Sequence, residues 1–165
     1  AFKRLEDEHY LTYIRNRGVF VSVFTSEELD DLFFTRRTLE PAAARLATTR
    51  MTPERMLRLE QLAEKSDTNS LRDFLYADNQ FHLYLFECTD NIYLIDLYNS
   101  LIRRISLMRN YMALFSQEDL LKFIDRREHK MLCMIMRSGN PDVSEAYMKK
   151  HVDSLLNVTI NHPRL

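Results

Sequence analysis

Asp78 and His82 stand four residues apart in a stretch whose other residues at that spacing are Leu71, Phe74, Leu75, Phe81 and Leu85. Helical periodicity puts all of these on one face. Two ionisable groups therefore interrupt an apolar stripe, and burying them costs on the order of a few kcal/mol unless hydrogen bonds, counter-charges or a cation satisfy them. His151 repeats the anomaly among Tyr147, Met148, Leu155 and Val158, and His129 repeats it beside Leu132, Cys133 and Met136. Three of the five histidines thus point inward. If the helices carrying them face one another, one carboxylate and three imidazoles form a suitable ligand set for a divalent transition metal. Zinc heads the candidates, with nickel, manganese and iron also suited, because the ligand types do not choose among them. A hydrogen-bond network without metal would satisfy the same four side chains, and spacing alone leaves both readings open.

Arg36 is the other displaced charge, falling between Phe33 and Leu39 on an apolar stripe while Arg37 falls on the polar side. A guanidinium grips a carboxylate through two parallel hydrogen bonds, so Arg36 suits an acidic effector, or an internal pair with Glu40 four residues on. His9 and His162 read as terminal or surface residues and receive no role. Motifs of catalysis are missing: there is no G-x-S-x-G elbow, no glycine-rich phosphate loop and no H-E-x-x-H helix. The eight methionines and eighteen Phe and Tyr residues read as plain core.

The elements that must position these side chains are helices. With 165 residues, 45% of them hydrophobic and 28% charged, the chain suits one well-filled soluble domain. Only two glycines and four prolines interrupt it. Thr25 with Glu27 and Glu28 opens a long first helix whose stripe runs Leu29, Leu32, Phe33, Arg36, Leu39, Ala43 and Leu46. Thr52-Pro53-Glu54 opens a second, followed by a loop over Lys65 to Ser70. Further helices are expected over about Leu71–Cys88, Ile92–Phe115, Gln117–Arg137 and Asp142 to near Asn161. The expected fold is all-α, an antiparallel bundle of six or seven helices joined by short loops.

Residues 1–24 read differently. A helix end over Ala1 to Glu8 precedes two β-prone runs, Tyr10–Ile14 and Val19–Val23, around Arg15-Asn16-Arg17-Gly18, which is a hairpin signal. Such a hairpin cannot bury an apolar face of its own, so it is expected to be a remnant of another domain, with a boundary at 24/25. The 23 basic and 24 acidic residues lack the basic excess that would draw a phosphate backbone. Cys88 and Cys133 show no zinc-knuckle or redox spacing, which suits a reducing, cytoplasmic setting. No run of eighteen apolar residues suggests membrane insertion.

Taken in order, these segments resemble a known family, the GntR-type bacterial regulators of the FadR subgroup with their FCD effector domain. Arg4-Leu-Glu-Asp-Glu8 through Arg15-Asn-Arg-Gly-Val-Phe-Val21 resembles the end of the recognition helix and the wing of a winged helix-turn-helix. Arg36-Arg-Thr-Leu-Glu-Pro-Ala-Ala-Ala-Arg-Leu-Ala47 resembles the first effector helix, and Asp78-Asn-Gln-Phe-His82 a middle one. Glu128-His129, Gly139-Asn140, Ala146 and His151 resemble the closing helices. Asp90 stands where the family often has glycine, and Asn140 where it often has aspartate. The resemblance implies a divalent metal on Asp78, His82, His129 and His151, a small carboxylate effector approached by Arg36, and DNA contact through Arg15, Arg17 and Gly18. It further implies a homodimer whose winged helices read operator DNA under effector control. The competing expectation is a metal-dependent helical-bundle enzyme acting on a small acid, to which a wing-like hairpin would be useless.

Overall fold

The computed structural model describes residue 3, residues 10–22, 24–115 and 125–160. Among the described residues, a two-stranded antiparallel hairpin, β1 (Leu11–Ile14) and β2 (Gly18–Val21), precedes six helices. These are α1 (Ser26–Thr49), α2 (Pro53–Lys65), α3 (Leu71–Glu87), α4 (Ile92–Phe115), α5 (Glu128–Arg137) and α6 (Pro141–Ile160). The all-α bundle with a leading hairpin agrees with the sequence reading. The expected opening helix over Ala1–Glu8 lies outside the described residues, Lys3 apart.

Helix starts follow from local chemistry. Thr25 and Glu28 form a reciprocal capping box, the Thr25 hydroxyl accepting from the Glu28 N–H and the Glu28 carboxylate from the Thr25 N–H. Thr52 caps α2 ahead of Pro53, and Ser70 caps α3. Asn91 accepts from Tyr93 and Leu94 at the head of α4, and Asn140 accepts from Asp142 and Val143 at the head of α6. Each such cap contributes about 1 kcal/mol.

α5 departs from expectation, since Glu128 and not Gln117 is its first residue among those described. Residues 125–127 form a turn in which the Asp125 carboxylate accepts from the Arg127 N–H and the Asp125 carbonyl from the Glu128 N–H. The Arg126 side chain meanwhile reaches across to the Thr68 carbonyl and Asn69. Apolar periodicity before residue 125 could not reveal this local competition between side chain and helix. Residues 116–124 lie outside the described residues.

Cross-links fix the direction of packing. Arg37 pairs with Asp153 and Arg45 with Asp142 and Glu145, so α1 and α6 run antiparallel along their long shared seam. Glu60 to Arg137 and Lys130 to Glu64 and Asp67 set α5 antiparallel to α2. Phe86 stacked on Tyr98 and Asn79 bonded to Ser106 set α4 antiparallel to α3. Being exposed, the ionic links add little energy. The bundle is held by the buried Phe33, Leu59, Phe81, Leu85, Ile105, Leu132, Met136, Met148 and Val152. α3 packs against α1, α2 and α4, which places its polar residues at the bundle interior.

Candidate metal centre

Asp78, His82, His129 and His151 come together from α3, α5 and α6, all four buried, each offering a donor atom within 4.8 Å of every other. His151 Nε2 lies 3.2 Å from His82 Nε2, and His129 Nε2 lies 3.4 Å from Asp78 Oδ1. His82 Nε2 is 3.8 Å from that same carboxylate oxygen. Phe81 stacks on the His129 ring at a centroid distance of 4.2 Å and closes one side.

The nitrogen atoms facing away from the cluster determine the state of those facing in. Ser66 Oγ donates to the Ala63 carbonyl at 2.7 Å, so toward His129 Nδ1, 2.9 Å away, it acts as acceptor. His129 therefore carries its proton on Nδ1 and presents a bare Nε2 to Asp78. His151 Nδ1 donates to Glu128 Oε2 at 2.6 Å, which leaves its Nε2 bare as well. His82 Nδ1 lies 3.3 Å from Glu40 Oε2, out of line for a full hydrogen bond. With a carboxylate on that side, its proton also belongs on Nδ1.

Three lone pairs and a carboxylate oxygen thus converge on one small volume. Asp78 Oδ1 and His129 Nε2 are buried without any hydrogen-bond partner. Buried polar atoms are rarely left so, and a cation is the species that satisfies four converging acceptors at once. Ligands at about 2.0–2.1 Å from a tetrahedral centre stand about 3.3 Å apart, comparable with the shorter separations here. The residues present therefore fit a divalent metal.

The surrounding charges act in the same direction. Burial drives the His82 and His129 imidazoles well below their ordinary value against the opposing pull of Asp78, so both are neutral at neutral pH. Burial pushes the Asp78 carboxyl up, but the adjacent Arg109 guanidinium leads the opposing charges and the group stays ionised. Arg109, on α4, donates to Asp78 Oδ2 and to Asn79 Oδ1, which leaves Oδ1 of Asp78 as the atom facing the histidines.

Arg36 is wholly buried and turned inward, as its stripe implied, but its strongest partner is Glu40 at 2.6 Å from Nε and 3.3 Å from Nη2. Nη1 has no partner, so one donor edge is available to an anion. Arg15 and Arg17 sit exposed in the hairpin turn, where Asn16 and Gly18 take positive φ values of 62° and 105°. Arg109, Ser66 and Glu128 escaped notice as parts of the centre. Arg109 follows Ile105 by one helical repeat on an apolar stripe, the same signal that marked Arg36. Ser66 sits in a polar loop and carried no signal at all.

A capped helical bundle with a buried Asp and three His inside it is the arrangement that the comparisons with known proteins assign to a family. The FCD domain matches residues 31–154, and the chain belongs to that family. It is 28% identical to the Nta operon transcriptional regulator of Aminobacter aminovorans over 96% of this chain and 76% of that protein. Among solved structures, E. coli McbR/YncC shares the fold with a TM-score of 0.81 at 15% identity, over 96% of this chain and 81% of that one. A GntR-family transcriptional regulator from Pseudomonas syringae pv. tomato superposes with a TM-score of 0.68 at 18% identity, over 98% and 68%. The resemblance to GntR-type regulators is thereby borne out, and the FadR subgroup is consistent with it. The Aminobacter relative and the Pseudomonas structure are named as transcription regulators, which points away from the enzyme reading.

Proposed function

We propose that this chain is the sensing part of a cytoplasmic, GntR-type transcription regulator, with residues 25–165 as effector domain and residues 1–24 as the remnant of a winged helix. Asp78, His82, His129 and His151 hold a divalent transition metal, zinc being the first candidate. The convergence of one carboxylate oxygen and a ring nitrogen from each of three histidines in a buried site carries this reading. When bound, the cation would supply fixed positive charge that favours an anion beside it.

The chain's own residues do the rest. Asp78, pinned by Arg109 through its other oxygen, contributes a single negative ligand. Arg36 offers its unpartnered Nη1 to a small carboxylate metabolite near the metal. The effector changes operator binding by preferring one arrangement of a homodimer over another, with couplings of about 1 to 3 kcal/mol. Arg15, Arg17 and Gly18 belong to the wing that approaches DNA.

A thermal-shift screen of small carboxylates and sugar acids on zinc-loaded protein tests the reading. One class is expected to raise the melting temperature only with zinc present, and to lose that effect in Asp78→Ala and His151→Ala. Ligands that stabilise stripped protein and both variants equally would place the effector elsewhere.

A further inference from the structure

Glu40 is the one carboxylate in the described interior shared between the two halves of the site. Its side chain is completely buried on α1, one turn beyond Arg36. Oε1 accepts from Arg36 Nε at 2.6 Å, and Oε2 stands 3.3 Å from both Arg36 Nη2 and His82 Nδ1. On either side of this carboxylate lies an unsatisfied buried atom, Arg36 Nη1 and His82 Nδ1. An ordinary internal ion pair would leave neither.

We propose that Glu40 is a positioning residue that couples the Arg36 anion site to the metal through His82. This inference rests on the metal reading of the preceding subsection. Its carboxylate divides its hydrogen-bonding capacity between guanidinium and imidazole. An anion on Arg36 Nη1 neutralises part of the guanidinium charge, which frees Oε2 to take the His82 Nδ1 proton in a full hydrogen bond. That bond fixes the ring with Nε2 facing Asp78 and makes it a better donor to the cation, as carboxylate partners of metal-bound histidines generally do. By linkage, the metal then tightens anion binding by the same factor. The alternative role, neutralising Arg36 alone, gives Glu40 no effect on His82.

The test is zinc affinity by chelator competition, with and without sodium acetate as the anionic probe, in the wild-type chain, Glu40→Gln, and the double variant Arg36→Met with Glu40→Gln. The double variant replaces the buried ion pair by a neutral pair, so it retains the fold where the single one is destabilised. We expect wild-type zinc binding to tighten with acetate, and both variants to bind zinc about 10- to 100-fold more weakly and without acetate dependence. Long-range 1H–15N spectra of the zinc-loaded wild type should show the His82 Nδ1–H signal shift when acetate is added, a response that zinc coordination at Nε2 alone would not produce. Double-variant affinity within about threefold of wild type would show that Glu40 serves only Arg36 and would overturn the inference while leaving the metal site intact. Absence of zinc binding in the wild type would instead remove the metal reading, and this inference with it.

Discussion

At the scale of single residues, His82 and His129 suit the proposed metal because burial keeps both neutral at neutral pH. Their acid response follows with a definite sign. His82 and His129 have folded-state values below the ordinary 6.5, so below that pH the unfolded chain binds protons that the folded one refuses. Stability therefore falls as pH drops from about 6.5, by about 1.4 kcal/mol per pH unit for each histidine. Asp78, depressed in the folded state, adds a further loss below about pH 4. Urea melts of stripped protein between pH 7.5 and 5.5 should show this slope, and a flat profile would mean that these imidazoles are solvated. Arg109 gives a second expectation. Its removal in Arg109→Gln strands the Asp78 carboxylate and should cost the metal-free protein about 3 kcal/mol in the same melts. Zinc, supplying charge to Asp78, should recover part of that loss. The three inward histidines, Asp78 and Arg36 were legible in the sequence because each broke an apolar stripe. The proton-placing partners were not, since Ser66 lies in a loop and Glu128 at a helix start, where polar residues are ordinary.

At the scale of elements, the helix starts were legible wherever a side chain itself supplies the cap, as at Thr25, Thr52 and Ser70. The head of α5 was not, because it depends on a turn at Asp125–Arg127 and on the distant Thr68 and Asn69. Thr25→Ala removes the hydroxyl half of the α1 capping box and should destabilise the protein by about 1 kcal/mol in urea melts, leaving metal content unchanged. Asp90, between α3 and α4, takes φ of 48°, where a side chain costs about 1 kcal/mol. Both its oxygens are gripped by Arg55 at 2.8 Å, an exposed pair worth up to about 1 kcal/mol. Asp90→Gly relieves one term and loses the other, so its melting point should stay within about 3 °C of wild type. Asn140, the other departure from the family pattern, caps α6 as aspartate would, through Oδ1.

At the scale of the whole molecule, the antiparallel seams bring α3, α5 and α6 to one interior volume, which no single segment of sequence contains. The class of fold was legible from helix count and loop length, and the meeting of the four ligands only from their shared inwardness. If a cation belongs there, it binds the folded chain alone, and at about 100 times its dissociation constant stabilises it by about 2.7 kcal/mol. For a chain of this length that is a rise of about 5–10 °C in melting temperature. The most direct measurement is isothermal titration of chelator-stripped protein with zinc, in wild type, Asp78→Ala and His151→Ala. One ion per chain is expected, with affinity at least tenfold weaker in each variant. Zinc bound with unchanged stoichiometry and affinity in both variants, or not bound by the wild type at all, would contradict the account.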